Sequence, residues 1–350
     1  MTEHLRIREL AVGFRTFDGF KEIVDVIELH VDRGEAYGLV GESGAGKTVL
    51  ALAILGLLQQ PPAEVKASEL SLDGEPLLSM NARELRDVRG RRISMIFQDP
   101  MSALDPVFTV GNQLREVIHQ RARLKGEQAD ARALELMRLV ELPDPEMMLN
   151  KYPHQLSGGQ RQRVIIALAL ACGSQLLIAD EPTRNLDVTV QASVLKTIYK
   201  LRTELDVSLL FIANNLSLVS VMCDRVGILL KGRIVETGRV HDILDNPLHP
   251  YTLDLLRAVP RRDERLADEE RNFVEIADAA LSRCGHYSRC NVRGPLCEGE
   301  TALQLTPVSA THAVACPQIV DALALSSGTS ATMEATAAAY ATPTGSGGGD

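Results

Sequence analysis

Residues 41–48 read Gly-Glu-Ser-Gly-Ala-Gly-Lys-Thr and match the pattern G-x-x-x-x-G-K-[ST] at every fixed position. An apolar run at 36–40 predicts a buried strand before them, and the pattern at 48–57 predicts a helix after them. Glycines let consecutive backbone N–H groups converge on a phosphate, and a helix N-terminus favours an anion. The segment therefore predicts a strand–loop–helix unit that binds a nucleoside triphosphate.

The last two residues of this loop carry the side chains expected to contact the phosphates and the metal ion. We expect Lys47 to reach the β- and γ-phosphates and the Thr48 hydroxyl to bind Mg²⁺. The predicted triphosphate contacts are Gly41, Glu42, Ser43, Gly44, Ala45, Gly46, Lys47 and Thr48. Many nucleotidases share such a loop, so it predicts nucleotide binding without naming the process that is driven.

Composition limits the remaining classes of function. The net charge of -9 argues against nucleic acid as a main partner, because such binding depends on Lys and Arg. No apolar run approaches the roughly 18 residues that span a bilayer, and residues 1–10 lack the apolar core of a secretion signal. If the chain serves a membrane process, we expect other chains to supply the spans.

Strand and helix patterns alternate along most of the chain, which predicts an α/β fold with a mixed sheet and helices on both faces. The alternating segments 5–12 and 23–31 are expected to open that sheet. Helical patterns dominate between Pro100 and Glu141. We therefore expect a helical subdomain, at about 99–165, inserted into a nucleotide-binding domain that covers 1–260.

Residues 176–182, Leu-Leu-Ile-Ala-Asp-Glu-Pro, form an apolar strand that ends in two carboxylates. In open α/β sheets, ligands bind at the carboxyl ends of the strands, where Asp180 and Glu181 emerge. Asp180 fits a Mg²⁺ contact, and Glu181 can accept a proton from the attacking water. The alternative is a pair of solvated carboxylates before a turn-forming proline.

A second glycine-rich helix start occurs at 156–163, Leu-Ser-Gly-Gly-Gln-Arg-Gln-Arg. Ser157 is a natural N-cap, and the glycine pair lets backbone approach a ligand closely. One chain cannot easily present both this helix start and the phosphate loop to the same γ-phosphate. Two chains arranged head to tail can.

With these motifs the chain resembles the ATP-binding-cassette (ABC) ATPases over residues 5–260, a P-loop NTPase fold. The motifs occur in family order: the phosphate loop, a Q-loop at 97–100, the signature at 156–160, the acidic strand end, and a D-loop at 186–187. The resemblance implies that two nucleotide domains sandwich two ATP molecules. It implies that Gln98 senses Mg²⁺ and water, and that Phe14 stacks on adenine, with Phe17 as the other candidate. The expected contacts to ATP held by the partner are Ser157, Gly158, Gly159, Gln160 and Asp187.

Narrower features are similar to the oligopeptide and dipeptide importer branch, namely residues 97–106 and the segment 246–256 with its His-Pro-Tyr-Thr core. This resemblance implies two permease subunits as partners, an extracytoplasmic solute-binding protein that acts indirectly, and a peripheral place on the cytoplasmic face of the membrane. Nickel, opines and sugars stay open as cargo. A cassette protein acting on DNA or ribosomes is the rival class, which the acidic balance and the His249–Thr252 motif oppose.

The family pattern breaks after the strand at 208–212. The resemblance implies Thr-His-Asp there, with a histidine that contacts the γ-phosphate, but the chain has Ala213-Asn214-Asn215. Asn214 can bond a phosphate oxygen but cannot carry charge or shuttle a proton. Residues 183–187, Thr-Arg-Asn-Leu-Asp, are altered too. We therefore expect a degenerate, slowly hydrolysing site within a heterodimer, the alternative being a largely non-hydrolytic regulatory subunit.

The cysteines fall into two groups. Cys172 and Cys223 have apolar neighbours in sequence and are expected in the core. The other four lie in a predicted Cys-rich C-terminal region, 261–325, and suit a [4Fe–4S] cluster or Zn²⁺. Resemblance to the importer branch favours iron–sulfur, and a region without cofactor stays open. The expected ligands are Cys284, Cys290, Cys297 and Cys316. Residues 326–350, rich in Ala, Thr, Ser and Gly, are expected to be disordered.

Overall fold

The computed structural model describes residues 3–99, 103–258, 284–298 and 304–326. Its first sheet is antiparallel, with strand order β2-β1-β5-β6 and β4 paired to β1. The strands are β1 (Glu3–Thr16), β2 (Gly19–Asp32), β4 (Ala63–Lys66), β5 (Glu69–Leu72) and β6 (Glu75–Pro76). The prediction that the first two strands open the mixed sheet is therefore wrong. They pair with each other along their length and form a separate sheet.

The second sheet is mixed and has the order β12-β13-β11-β10-β3-β9-β8-β7. Its strands are β3 (Ala36–Val40), β7 (Ile93–Ile96), β8 (Leu176–Asp180), β9 (Ser208–Ala213), β10 (Arg225–Leu230), β11 (Arg233–Arg239), β12 (Thr306–Pro307) and β13 (His312–Val314). The run from β7 to β10 is parallel. Every residue of β3, β8 and β9 is buried, as parallel strands covered on both faces require.

Helices fill the intervals between these strands. They are α1 (Lys47–Ile54), α2 (Ala82–Val88), α3 (Val110–Val117), α4 (Glu127–Leu139), α5 (Pro145–Leu149), α6 (Gly158–Leu170), α7 (Val188–Leu205), α8 (Leu216–Met222), α9 (Val240–Asp245), α10 (Pro250–Arg257) and α11 (Pro317–Ser326). A π-helical turn, Ile118–Ala122, extends α3. Within the described ranges, no helix is both long and apolar enough to cross a bilayer.

Two apolar cores lie on opposite faces of the mixed sheet. Along β9, Leu209 and Phe211 join the core that the helices α3, α4 and α6 cover. Leu210 and Ile212 join the core shared with α1 and the antiparallel sheet. Helices therefore lie on both faces, as expected, and on the face of α1 the antiparallel sheet completes the cover.

The cysteine-bearing segments attach to the edge of the mixed sheet. β13 pairs antiparallel with β11, and β12 pairs with β13. His312 Nε2 lies 2.7 Å from the carboxylate of the fully buried Glu236. Residues 261–283, at the start of the predicted Cys-rich region, and nearly all of the predicted disordered tail at 326–350 lie outside the described residues.

Candidate functional site

The carboxyl ends of β3, β7, β8 and β9 meet at one edge of the mixed sheet, called here the nucleotide edge. The phosphate loop, residues 41–48, leaves β3 at this edge and runs into α1. Gly44 and Gly46 have φ values of 83° and 102°, which favour glycine. A Cβ on Gly41 would overlap the carbonyl of Leu229. Local geometry therefore demands the glycines that the sequence pattern contains.

Lys47 begins α1 and is only 5% exposed. Its Nζ donates to the carbonyls of Gly41, at 2.7 Å, and Glu42, at 2.9 Å, and lies 3.7 Å from Glu181 Oε1. Burial lowers the pKa of Lys47, while the carboxylates of Glu181 and Asp180 oppose this effect. A triphosphate would offer this buried ammonium acceptors of higher charge than the two carbonyls.

The predicted magnesium pair is assembled from distant parts of the sequence. Thr48 Oγ1 donates to Asp180 Oδ2 at 2.7 Å, although 132 positions separate the two residues. Asp180 is 1% exposed, and its Oδ1 has no hydrogen-bond partner within the described structure. Burial raises the pKa of Asp180. A buried oxygen without a donor, beside a threonine hydroxyl, fits the oxygen ligands that Mg²⁺ prefers.

Glu181 lies one residue beyond β8 and is held from several sides. Its φ is 43°, and its N–H donates to the carbonyl of Ile212 in β9 at 3.0 Å. Gln98, after β7, donates from Nε2 to Glu181 Oε2 at 2.9 Å. The structure thus brings together Lys47, Thr48, Gln98, Asp180 and Glu181, all of which the sequence singled out.

Two residues at this edge were not given a role by sequence reasoning. Arg184 Nη1 lies 3.1 Å from Glu181 Oε2. The Tyr251 hydroxyl accepts the backbone N–H of Glu42, within the phosphate loop, at 3.1 Å. Sequence analysis noted the unusual residues at 183–187, which include Arg184, and the His-Pro-Tyr-Thr segment, which includes Tyr251. It did not indicate that Arg184 contacts Glu181 or that Tyr251 contacts the phosphate loop.

The signature residues lie on a different surface. Ser157 caps α6 and accepts the N–H of Gln160, while the Gln160 side chain accepts the N–H of Ser157, so the predicted N-cap is confirmed. A Cβ on Gly159 would overlap the side chain of Val190 in α7, and one on Gly158 would approach Leu186 closely. Asp187 caps α7 by accepting the N–H of Val190. The signature and D-loop therefore form one packed surface.

Three other predicted positions differ in their surroundings. Asn214 is exposed and follows β9, while Asn215 caps α8 by accepting the N–H of Ser217. Phe14 is half-buried in β1, opposite Lys21, and packs against the core beneath the antiparallel sheet. Phe17 is fully exposed in the turn after β1. These positions leave the adenine contact a prediction.

The four C-terminal cysteines line one pocket, called here the thiol pocket, together with His249. None of the chain's cysteines, all of which are described, is in a disulfide. Burial raises the pKa of Cys290 to about 11 and that of Cys316 to about 12, and neighbouring thiols add to both effects. Among the described residues, no three His, Cys, Asp or Glu side chains are arranged so that they could hold a metal ion.

The phosphate-loop pattern, the buried Asp180 carboxylate beside Thr48 and the adjacent Glu181 together indicate a nucleoside triphosphatase. Residues 24–184 match the family model described as ABC transporter, and 235–297 match the C-terminal region of oligopeptide/dipeptide transporters. Oligopeptide transport ATP-binding protein OppD of Bacillus subtilis is 44% identical over 260 residues, 74% of this chain and 73% of OppD. Probable peptide ABC transporter ATP-binding protein y4tR of Sinorhizobium fredii is 41% identical over 317 residues, 89% and 94% of the two chains.

Solved structures agree with this assignment. The ATP-binding cassette MJ0796, solved as a dimer in a post-hydrolysis state bound to ADP and Pi, superposes with a TM-score of 0.60 at 25% identity, covering 67% of this chain and 98% of that chain. The fold is also that of cbiO1 from Clostridium perfringens, with a TM-score of 0.60 at 23% identity over 74% of this chain and 98% of cbiO1. The chain belongs to the ABC transporter ATPases, in the oligopeptide/dipeptide transporter branch.

Proposed function

We propose that the chain is the subunit that binds and hydrolyses ATP to energise uptake of peptides through a partner permease. The observation that carries this proposal is the convergence of Lys47, Thr48, Asp180 and Glu181 at the nucleotide edge in a chain of the oligopeptide/dipeptide branch. The nucleotide-binding domain would cover 1–260, with its helical subdomain at about 99–165, and the Cys-rich region would cover 261–325.

The chemistry follows from the positions of these side chains. Lys47 and the loop amides would bind the phosphates, and Thr48, Asp180 and Gln98 would hold Mg²⁺, which neutralises phosphate charge. Glu181 would accept the proton of the attacking water while the bond between the γ-phosphorus and the bridging oxygen breaks and ADP leaves. Lys47 would leave Glu181 for the phosphates, which makes one oxygen of Glu181 available to the water.

The signature surface would act in the opposite site of a head-to-tail dimer. Ser157, Gly158, Gly159, Gln160 and Asp187 would cover the nucleotide bound to the partner's phosphate loop. The packing of Gly158 against Leu186 supports this, because it fixes the signature helix to the D-loop. Phe14 would stack on adenine in the site of its own chain.

We further propose that the partner is a different ATPase chain, so that the two sites are unequal. Asn214 replaces a residue that could carry positive charge beside the γ-phosphate, so the chain's own site would turn over slowly. Its intact signature surface would complete a fully active partner site. A largely non-hydrolytic regulatory subunit is the alternative, and the buried Asp180 and Glu181 oppose it.

Exposed apolar side chains support a permease contact beside the nucleotide edge. Phe97, Val107 and Phe108 are all exposed, and Gln113 of α3 holds the loop by donating to the Phe108 carbonyl at 3.0 Å. A groove along α3 and α4 continues from Phe108. A short helix of the permease would dock there, in an assembly with two permease subunits, placing the chain peripherally on the cytoplasmic face, with a solute-binding protein outside.

Cargo can be tested by uptake in a strain that lacks the chromosomal copy of this chain. The wild-type chain should restore uptake of a labelled oligopeptide, and the Lys47→Ala variant should not. The matched control is Lys200→Ala, which removes an exposed lysine paired with Glu141. Restored uptake of nickel, an opine or a sugar, without peptide uptake, would overturn peptide import in favour of the corresponding alternative.

We also propose that the thiol pocket holds a [4Fe–4S] cluster, with Zn²⁺ as the alternative. The support is the convergence of Cys284, Cys290, Cys297 and Cys316 on one pocket, since four cysteines are the ligand set of such clusters. The donor types fit, and ligand binding would have to draw the thiols closer together than they lie. The group would stabilise the C-terminal region rather than take part in hydrolysis.

Metal analysis of anaerobically purified protein tests this proposal. Four iron atoms per chain, absent from the Cys290→Ser and Cys297→Ser variants, would support the cluster. The control is Cys172→Ser, which alters a half-buried cysteine remote from the thiol pocket. One zinc atom per chain would support the alternative. Protein that contains neither iron nor zinc would refute both the cluster and the zinc site.

A further inference from the structure

Arg184 occupies a position at the nucleotide edge that the proposed chemistry leaves without a role. It follows Glu181 by three residues, and its N–H donates to the Glu181 carbonyl at 3.0 Å, so a tight turn returns its side chain toward that residue. The guanidinium Nη1 lies 3.1 Å from Glu181 Oε2. The Arg184 side chain is 45% exposed, whereas that of Glu181 is 9% exposed. A long side chain thus reaches from solvent to a carboxylate that is about nine-tenths buried.

The contacts divide between the two oxygens of Glu181. Oε2 accepts from both Gln98 and Arg184, while the one charged group that Oε1 faces among the described residues is the Lys47 ammonium, at 3.7 Å. Two donors on one oxygen fix the orientation of the carboxylate. Oε1 remains as the oxygen that could accept a proton once Lys47 turns to phosphate.

The charge of Arg184 also acts on its surroundings. Its guanidinium lies 3.1 Å from Glu181 Oε2, and the other carboxylate oxygen of Glu181 lies 3.7 Å from the Lys47 ammonium. The neighbouring strand end carries neutral Asn214, two residues beyond Ile212, which accepts the Glu181 N–H. Among the described side chains at this edge, Lys47 and Arg184 are the cations that face Glu181.

We propose that Arg184 is a positioning residue for ATP hydrolysis: it fixes Glu181 through Oε2 and supplies, at this strand end, the positive charge that Asn214 cannot carry. This inference rests on the proposed function, in which Glu181 is the general base. Arg184 would be needed for the chemical step more than for binding, because Lys47 and the loop amides already hold the phosphates.

The test is single-turnover hydrolysis of labelled ATP by the assembled transporter, with Ser157→Arg present throughout to disable the partner's site. We expect Arg184→Ala to lower the rate about tenfold while the ATP concentration for half-maximal rate changes less than about twofold. Arg184→Lys should restore part of the rate. In an Asn214→His background, Arg184→Ala should lower the single-turnover rate only about twofold, because the imidazole then provides the positive charge. The matched control, Arg138→Ala, removes a surface arginine 3.0 Å from Glu146.

The outcomes separate this inference from the proposed function. An unchanged or faster rate in Arg184→Ala, with the Ser157→Arg assembly active, would overturn the positioning role, and a faster rate would make Arg184 a restraint on the base. An equal loss in the Asn214→His background would overturn the charge compensation. If the assembly without the Arg184 substitution bound no ATP, the proposed function itself would fail.

Discussion

The strands β3 and β9 are neighbours in the mixed sheet, but the segments that follow them differ. After β3, the glycines, Lys47 and Thr48 match the phosphate-loop pattern, and both side chains are committed to contacts at the nucleotide edge. After β9, Asn214 is exposed to solvent. On the other side of β9, β8 provides Asp180, which fits the pattern, and is followed by Glu181, which Arg184 contacts.

This difference separates ATP binding from ATP hydrolysis, two tasks that one nucleotide site usually performs together. In the proposed function, the β3 side would hold the triphosphate and metal through groups that are already buried in place. The β9 side would act on the γ-phosphate, and there the chain departs from the pattern. The molecule is thus expected to bind ATP well and to hydrolyse it slowly in its own site.

The largest expected effect is on the chemical step. Glu181→Gln preserves shape and allows Gln98 to keep an acceptor, but an amide cannot take a proton from water. We expect single turnover at this site to fall about thousandfold, with ATP affinity unchanged. Rapid-quench measurements in the Ser157→Arg assembly provide the test. A fall below about tenfold would remove Glu181 as the base.

The next effect is on binding. Lys47→Ala removes a buried ammonium that would contact the phosphates, and we expect ATP affinity to fall about hundredfold by calorimetry. Lys200→Ala, at a surface pair with Glu141, should bind like the wild type. Undiminished affinity in Lys47→Ala would mean that the phosphate loop does not hold the nucleotide.

A histidine at position 214 should reduce the difference between the segment after β3, which matches the family pattern, and the segment after β9, which departs from it. Asn214→His places an imidazole beside the γ-phosphate, and we expect own-site turnover to rise about tenfold. Asn215→His would be unsuitable as a control because Asn215 caps α8. Asn214→Gln is the suitable control, since it keeps a neutral amide and should leave the rate nearly unchanged. No gain with histidine would refute the degenerate site.

The smallest effect concerns support of the phosphate loop. Tyr251→Phe removes the hydroxyl that accepts the Glu42 N–H, while the ring can keep its place beside His286, at 5.8 Å between centroids. One hydrogen bond of this kind corresponds to a loss of about threefold in ATP affinity. Tyr199→Phe, at an exposed tyrosine, is the control. Equal affinities in all three proteins would show that Tyr251 does not support the loop.

Sequence patterns were most informative where structure depends on nearby residues. The Ser157 cap, the phosphate loop and the helix after this loop follow from local rules of capping, glycine freedom and periodicity. Sheet membership was not predictable in this way. Alternation in β1 and β2 indicated strands, but pairing between strands decided that they form a separate antiparallel sheet.

Contacts across long sequence separations explain what sequence reasoning missed at the site. Tyr251 and Glu42 are 209 positions apart, and a strand-edge attachment brings the C-terminal segments to the mixed sheet. Arg184 and Glu181 are close in sequence, but a left-handed φ of 43° at Glu181 helps to turn them toward each other. No periodicity rule for helices or strands predicts such a turn.

The most direct test compares two substitutions in the assembled transporter during steady-state ATP hydrolysis. Glu181→Gln disables chemistry in the chain's own site, while Ser157→Arg disrupts the surface that completes the partner's site. Unequal sites would leave most turnover in Glu181→Gln and remove about nine-tenths of it in Ser157→Arg. A loss of half or more in Glu181→Gln would contradict the account, because this chain's site would then hydrolyse ATP as fast as its partner's.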